Sequence, residues 1–227
     1  MQESIYTALL ILLEIAFSVI ILVALKRAGA KISVIFPVSM IFVVWLTAIY
    51  LALTSGFYSS TGMPQLAFFL SITLPVVIGY VGQAVWRPLG EAIQAMSTQQ
   101  FLVLQQMRAA FGVMFFFTSA LPVWFQWIGG LGDIAAGLVA FLALQSYRRQ
   151  PTKEREAILR GNIIGILDFV VVLNLGLFVV LKHQSPDIIF DLIPLYVVPL
   201  FILLHIFSLQ RLSRLGVDAD QRLAGTC

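Results

Sequence analysis

The sequence predicts an all-α, polytopic integral membrane protein with seven transmembrane helices. Three observations predict it. The 227-residue chain is 60% hydrophobic and only 11% charged, with a mean hydropathy of +0.97, whereas soluble domains carry about a quarter charged residues. Apolar runs recur at a length of about 20 residues, which a helix rising about 1.5 Å per residue needs to cross the hydrocarbon of a bilayer. The basic residues lie in the turns between those runs, and nearly all of them fall on one side.

Span one covers residues 5–25 and is followed by Lys26, Arg27 and Lys31. Met1 to Ser4 carry no lysine or arginine and no small-residue cleavage site follows, so this run reads as a retained span and not as a signal peptide. Span two covers 32–54, and span three covers 64–86 with Arg87 beyond it. The segment 87–100, RPLGEAIQAMSTQQ, sets Leu89, Ile93 and Met96 at helical spacing and is expected to lie along the interface. Span four covers 101–122 and contains Arg108. Span five, 127–147, opens on WIGGLGDIAAG and leads into a solvated loop, RRQPTKERE, whose charges are expected to serve orientation. Span six covers 161–182; span seven, 192–210, precedes a tail, 211–227, whose last residues read as mobile. Residues 1–227 thus form a single seven-helix membrane domain.

Orientation follows from the turns. Lys26, Arg27, Lys31, Arg87, Arg148, Arg149, Lys153, Arg155, Arg160, Arg211, Arg214 and Arg222 share one side, against Lys182 alone on the other. Positive residues stay inside, so the N-terminus is expected outside and the C-terminus in the cytoplasm, in a bacterial cytoplasmic (inner) membrane. The net charge of +3 is accounted for by these turns. The partner it implies is the lipid bilayer, and nucleic acid binding is not implied.

Ionisable residues at membrane depth are unfavourable by roughly 2.5 to 3.5 kcal/mol at a helix centre and usually face a bundle interior or a wet cavity. With cytoplasmic ends at Phe101, Gly161 and Arg211, the positions of Arg108, Asp168 and His205 come about 9 to 11 Å inside the cytoplasmic edge. An Arg108–Asp168 pair would be bidentate, with His205 the group beside it whose charge changes near neutral pH. Gln105, three residues before Arg108, shares its helix face. Such a layer serves either as a static bridge between spans four and six or as a proton relay or substrate site.

Glu14 comes about 14 Å into span one, near the midplane, with no basic residue at comparable depth. A carboxyl able to gain and lose a proton there is what a proton carrier needs; the alternative is a neutral acid bonded across a helix contact. Asp133 comes about 9 Å below the outer edge and Asn174 about 12 Å, which suggests a second, outer polar layer. If span five starts at Trp127, Asp133 needs a partner such as Asn174 or a bound ion. If it starts at Gly132, Asp133 caps the helix instead. Gly132, Ala136 and Ala140 recur every fourth residue. That small-residue face allows close helix approach, either at the centre of the bundle or in a homo-oligomer or partner-protein contact.

Several functions are disfavoured. Cys227 is the single cysteine, so no disulfide or thiolate site is expected. His183 and His205 lie near opposite edges, which argues against bis-histidine haem. His205 and Asp168 supply two zinc ligands where three or four are needed. Span seven holds no lysine for a retinal Schiff base. No Walker loop, nucleophile elbow or His-Glu-x-x-His run occurs, so neither catalytic residues nor a cofactor are expected. Two functions lead: a small proton-coupled carrier or permease using Glu14, Arg108, Asp133, Asp168, Asn174 and His205, with kinks at Pro37, Pro75, Pro194 and Pro199; or an assembly partner or sensor whose buried charges serve packing. Membrane-embedded enzyme chemistry using His205 and Asp168 ranks last, for want of a nucleophile or metal set.

Overall fold

A computed structural model describes residues 2–60, 64–118, 121–180 and 191–224. The described residues are helical throughout, with no strand, and seven stretches are long and apolar enough to cross a membrane. The helices are α1 (Gln2–Arg27), α2 (Ile32–Thr54), α3 (Phe57–Ser60), α4 (Pro64–Val85), α5 (Arg87–Ala95), α6 (Thr98–Gln106), α7 (Arg108–Met114), α8 (Val123–Arg149), α9 (Glu154–Val180) and α10 (Val198–Ala224). Lys182, His183 and Cys227, named above, lie outside the described residues.

The boundaries differ from the sequence reading in ways that matter for the site. The fourth stretch starts at Thr98, because Ser97 closes a capping box: its hydroxyl accepts from the Gln100 amide while the Gln100 side chain accepts from the Ser97 amide. That stretch then breaks at Met107, directly before Arg108, and tightens into a 3₁₀ turn at Phe115–Phe117. Helix α8 starts at Val123, right after Pro122, and α9 starts at Glu154. The last helix continues to Ala224, so Arg211 is part of a helix in the bundle and not the start of a tail.

The amphipathic segment after Arg87 does form a helix, α5, with Ile93 and Met96 buried. Inside the last stretch, Ile193–Val197 forms a π-helical turn ahead of α10. Pro199 has no N–H to give the Leu195 carbonyl four residues earlier, and the Trp45 indole of α2 donates to that carbonyl at 3.3 Å.

Side-chain bonds fix how the helices run. At one end, Arg211 donates to Glu154 at 2.9 Å, to the Thr98 hydroxyl at 2.9 Å and to the Met96 carbonyl at 3.1 Å. Glu154, which the sequence reading assigns to a solvated loop, therefore ties the start of α9 to α6 and α10. At the same end Gln100 donates to the Ala24 carbonyl and Gln83 to Gln210. At the other end the Tyr6 hydroxyl donates to the Met114 carbonyl at 2.9 Å, so α1 runs antiparallel to α6 and α7. Between these ties Phe17, Phe111 and Phe201 stack at the centre, with ring separations of 4.5 to 5.9 Å.

Helix α8 packs against α7 almost backbone to backbone. A Cβ on Gly112 would stand 2.7 Å from the Gly130 carbonyl oxygen and 2.9 Å from the Asp133 Cβ. Ala136 and Ala140 are buried within the chain, and Gly132 lies against Asp168 of α9, so the small-residue face points into the bundle. Gly112→Ala should therefore lower stability by about 1–3 kcal/mol through forced separation of the two helices. Gly82→Ala, on α4 where an added Cβ meets nothing within 4 Å, should leave stability unchanged or raise it by up to about 1 kcal/mol. Unfolding of the two variants in detergent micelles checks this; equal losses would contradict the close α7–α8 contact.

Candidate functional site

The break at Met107 leaves Arg108 as the first residue of α7, 1% exposed in the middle of the bundle. Its five N–H donors meet five acceptor contacts. Nε donates to Asp133 Oδ1 at 2.8 Å, and Nη2 donates to the same oxygen at 2.5 Å and also to Asp168 Oδ2. Nη1 donates to the Gly165 carbonyl at 2.8 Å and faces His205 Nε2 at 3.5 Å. The flat face of the guanidinium lies 3.8 Å from the centre of the Phe169 ring. One cation thus joins α7 to α8, α9 and α10.

Two glycines make that convergence possible. A Cβ on Gly165 would stand 2.5 Å from His205 Cε1 and 2.9 Å from Arg108 Nη1, and a Cβ on Gly132 would collide with Asp168 Oδ1. Along α9, Asn162, Gly165 and Asp168 are spaced by three, so one face delivers an amide, an open carbonyl and a carboxylate in succession.

The imidazole's role follows from its neighbours. The Asn162 amide nitrogen donates to the Ile158 carbonyl and the Ser208 hydroxyl, which leaves Asn162 Oδ1 as the acceptor facing His205 Nδ1 at 2.8 Å. His205 therefore carries its proton on Nδ1 and turns the lone pair of Nε2 toward Arg108. Gln105 donates to Asn162 Oδ1 at 3.4 Å, while its own carbonyl oxygen is buried without a partner.

Charge does not balance within this group. Asp133 and Asp168 together bring two carboxylate charges against one guanidinium, both of them on its Nη2. The small accessible remainder of their side chains, 13% for Asp133 and 8% for Asp168, lines a cavity of about 320 Å³ between α4, α9 and the last stretch. Apart from Thr73 and these two aspartates, the cavity wall is apolar.

The expected Arg108–Asp168 pair is present, and His205 stands beside it. Of the two sequence alternatives for Asp133, the buried charge that needs a partner is the one found, though the partner is neither Asn174 nor an ion. Asp133 lies ten residues inside α8, so it is not a cap, and its partner is Arg108. Among the described residues Asp133 joins Arg108 and Asp168 in one cluster and does not form a second layer with Asn174. The reason is helix length: α6 starts before Phe101, α9 before Gly161, and α8 runs past both assumed ends. Asp168 is therefore about 21 Å from the start of its helix and Arg108 about 15 Å from the start of α6. Asn174 is corrected too: it is exposed on the outside of α9 and donates to the Val170 carbonyl.

Glu14 is fully buried and neither carboxyl oxygen has a hydrogen-bond partner. Next to it Ser18 donates to the Glu14 carbonyl, so the 2.6 Å contact between Ser18 and Tyr196 is donated by the tyrosine. Sequence reasoning missed the Gly165 carbonyl, Phe169 and Asn162. The i, i+3, i+6, i+7 spacing of Asn162, Gly165, Asp168 and Phe169 was the available signal.

These features define an all-helical protein with seven helices apolar enough to cross a membrane and a single buried arginine–aspartate cluster among its described residues. The chain belongs to the family described as a domain of unknown function (DUF8737), whose pattern matches residues 63–213. The match contains Arg108, Asp133, Asp168 and His205, and Glu14 lies outside it. No curated protein and no solved structure matches the chain.

Arg108→Ala should destabilise the protein by about 3–5 kcal/mol, because it leaves two carboxyls buried without their cation. Adding Asp133→Asn to that variant should recover part of the loss. Arg108→Lys should not restore wild-type stability, since one ammonium cannot reach acceptors on three helices. Denaturant unfolding in micelles measures all three, and a wild-type midpoint for Arg108→Ala would mean that the cluster holds nothing together.

Proposed function

We propose that the protein is a small proton-coupled carrier of a bacterial cytoplasmic membrane, with Asp133 and Asp168 as its proton-exchange site. The observation that carries the reading is the surplus carboxyl: two aspartates share one buried guanidinium at the wall of a cavity. With Arg108 permanently charged, the surplus charge is neutral only when a proton or another cation is present. Burial makes each of these states expensive to leave uncompensated, so loading and unloading of the pair are coupled to what occupies the cavity.

Glu14 is a second proton-accepting group on this reading, fully buried and with neither carboxyl oxygen hydrogen-bonded. The broken fourth stretch at Met107, the π-turn at Ile193–Val197 and the prolines inside α2 and α4 supply positions where the helices can flex. The end of the bundle that gathers Lys26, Arg27, Arg87, Arg148 and Arg149 is assigned to the cytoplasm by the positive-inside rule, which puts the N-terminus outside.

A packing role is favoured by one observation of its own: every donor of Arg108 is engaged, as in a static bridge. On that reading the protein is an assembly partner or sensor. Liposomes containing a pH-sensitive dye separate the two. A proton flux above that of empty vesicles, abolished in Asp168→Asn and reduced in Glu14→Gln, is expected for the carrier. No flux with any solute class, from protein that is folded, would leave only the packing role.

A further inference from the structure

We infer that the cavity beside Asp133 and Asp168 is a binding site for a monovalent organic cation with an apolar body, a protonated amine or quaternary ammonium. The inference rests on the reading of the carboxyl pair as an exchangeable proton site and names the class of solute exchanged for that proton.

Three properties of the cavity point to this class. Its volume, about 320 Å³, falls at the lower end of the range for small-molecule sites, about 300–1,000 Å³. Its only charged lining groups are the two carboxyls, which carry one negative charge more than Arg108 neutralises, and no second cation approaches them among the described residues. Its wall is rich in phenylalanine, with Phe68, Phe69, Phe115 and Phe125 joining Phe169. Ring faces attract an ammonium and offer nothing to an anion. A sugar or amino acid would leave its hydroxyls or carboxylate against apolar wall, an unfavourable desolvation.

A second cavity, about 360 Å³, between α2, α4 and α10 provides the contrast. Its lining carries no charged group; its polar atoms are the Tyr196 hydroxyl, bonded to Ser18, and the indole N–H groups of Trp45, which donates to the Leu195 carbonyl, and Trp86. That cavity suits uncharged matter of similar size. Charge, and not volume, distinguishes the two.

The exchange balances. When the cation enters, one proton leaves the Asp133–Asp168 pair, so the cluster's net charge is unchanged. Affinity for a permanently charged ammonium must then fall with falling pH, by up to about tenfold per pH unit while the pair is protonated.

Phenyltrimethylammonium and its uncharged isostere tert-butylbenzene are the probes, with binding to the full chain in detergent followed by equilibrium dialysis. Saturable one-to-one binding of the ammonium is expected, weakened at least tenfold in Asp168→Asn and by acidification. Val172→Trp, which fills the cavity and leaves every charge in place, should abolish it. The isostere should show neither pH dependence nor sensitivity to Val172→Trp. Equal binding of the two probes by the wild type, or ammonium binding unaffected by Val172→Trp, would overturn the inference even if Asp168→Asn fails to fold. Proton flux in liposomes without ammonium binding leaves the proton site standing and removes this inference. Ammonium binding without flux supports the binding site and removes the carrier.

Discussion

The bundle depends on the contact between one guanidinium and two carboxyls inside it. Arg108 reaches α8 through Asp133, α9 through Asp168 and the Gly165 carbonyl, and α10 through His205. Every guanidinium donor is met by one of these groups, so the three helices are held at the separation the guanidinium dictates. The glycines follow from that separation. Gly132 and Gly165 stand where a side chain would collide with Asp168 or His205, and Gly112 lets α7 lie close enough for Arg108 to enter between its neighbours. The remaining packing, from the Phe17–Phe111–Phe201 stack to the Arg211–Glu154 tie, surrounds this centre.

The same contact leaves a residue of charge that packing alone does not require. A single aspartate would have neutralised Arg108; the second leaves one carboxylate charge unbalanced by it, which is what the proposed exchange site uses. His205 is held by Asn162 with its lone pair toward the arginine, which keeps the far side of the guanidinium polar but uncharged. Asp133 and Asp168 also line the phenylalanine-rich cavity. Structural and responsive roles therefore meet in one group of atoms, and the number of charges decides between them.

Much of the architecture was legible in the sequence because apolar runs of about 20 residues, long enough to cross a membrane, stand out from the polar turns between them. The second stretch, Ile32–Thr54, coincides with its sequence bounds, since Lys31 and Ser55 mark both ends. The short helix after Arg87 was visible from Leu89, Ile93 and Met96. The pairing of Arg108 with Asp168 followed from depth. Asp133 did not, because depth was counted from assumed interfaces and α8 starts four residues before Trp127. The capping box Ser97–Gln100 would have moved the fourth stretch by a turn had its S-x-x-Q pattern been used. The cavity has no signature in the chain, since its wall comes from apolar residues on several helices that look the same as those facing outward.

The central claim is that Asp133 and Asp168 hold one exchangeable proton between them because Arg108 balances only one of their charges. Infrared difference spectroscopy of the carboxylic acid stretch, recorded across a pH titration in a Glu14→Gln/Asp191→Asn background, addresses it directly by removing the other carboxyls buried among the described residues. The account predicts a single titrating acid band that is lost or shifted in Asp133→Asn and in Asp168→Asn. A spectrum with no titrating acid band, both aspartates remaining ionised throughout, would contradict it.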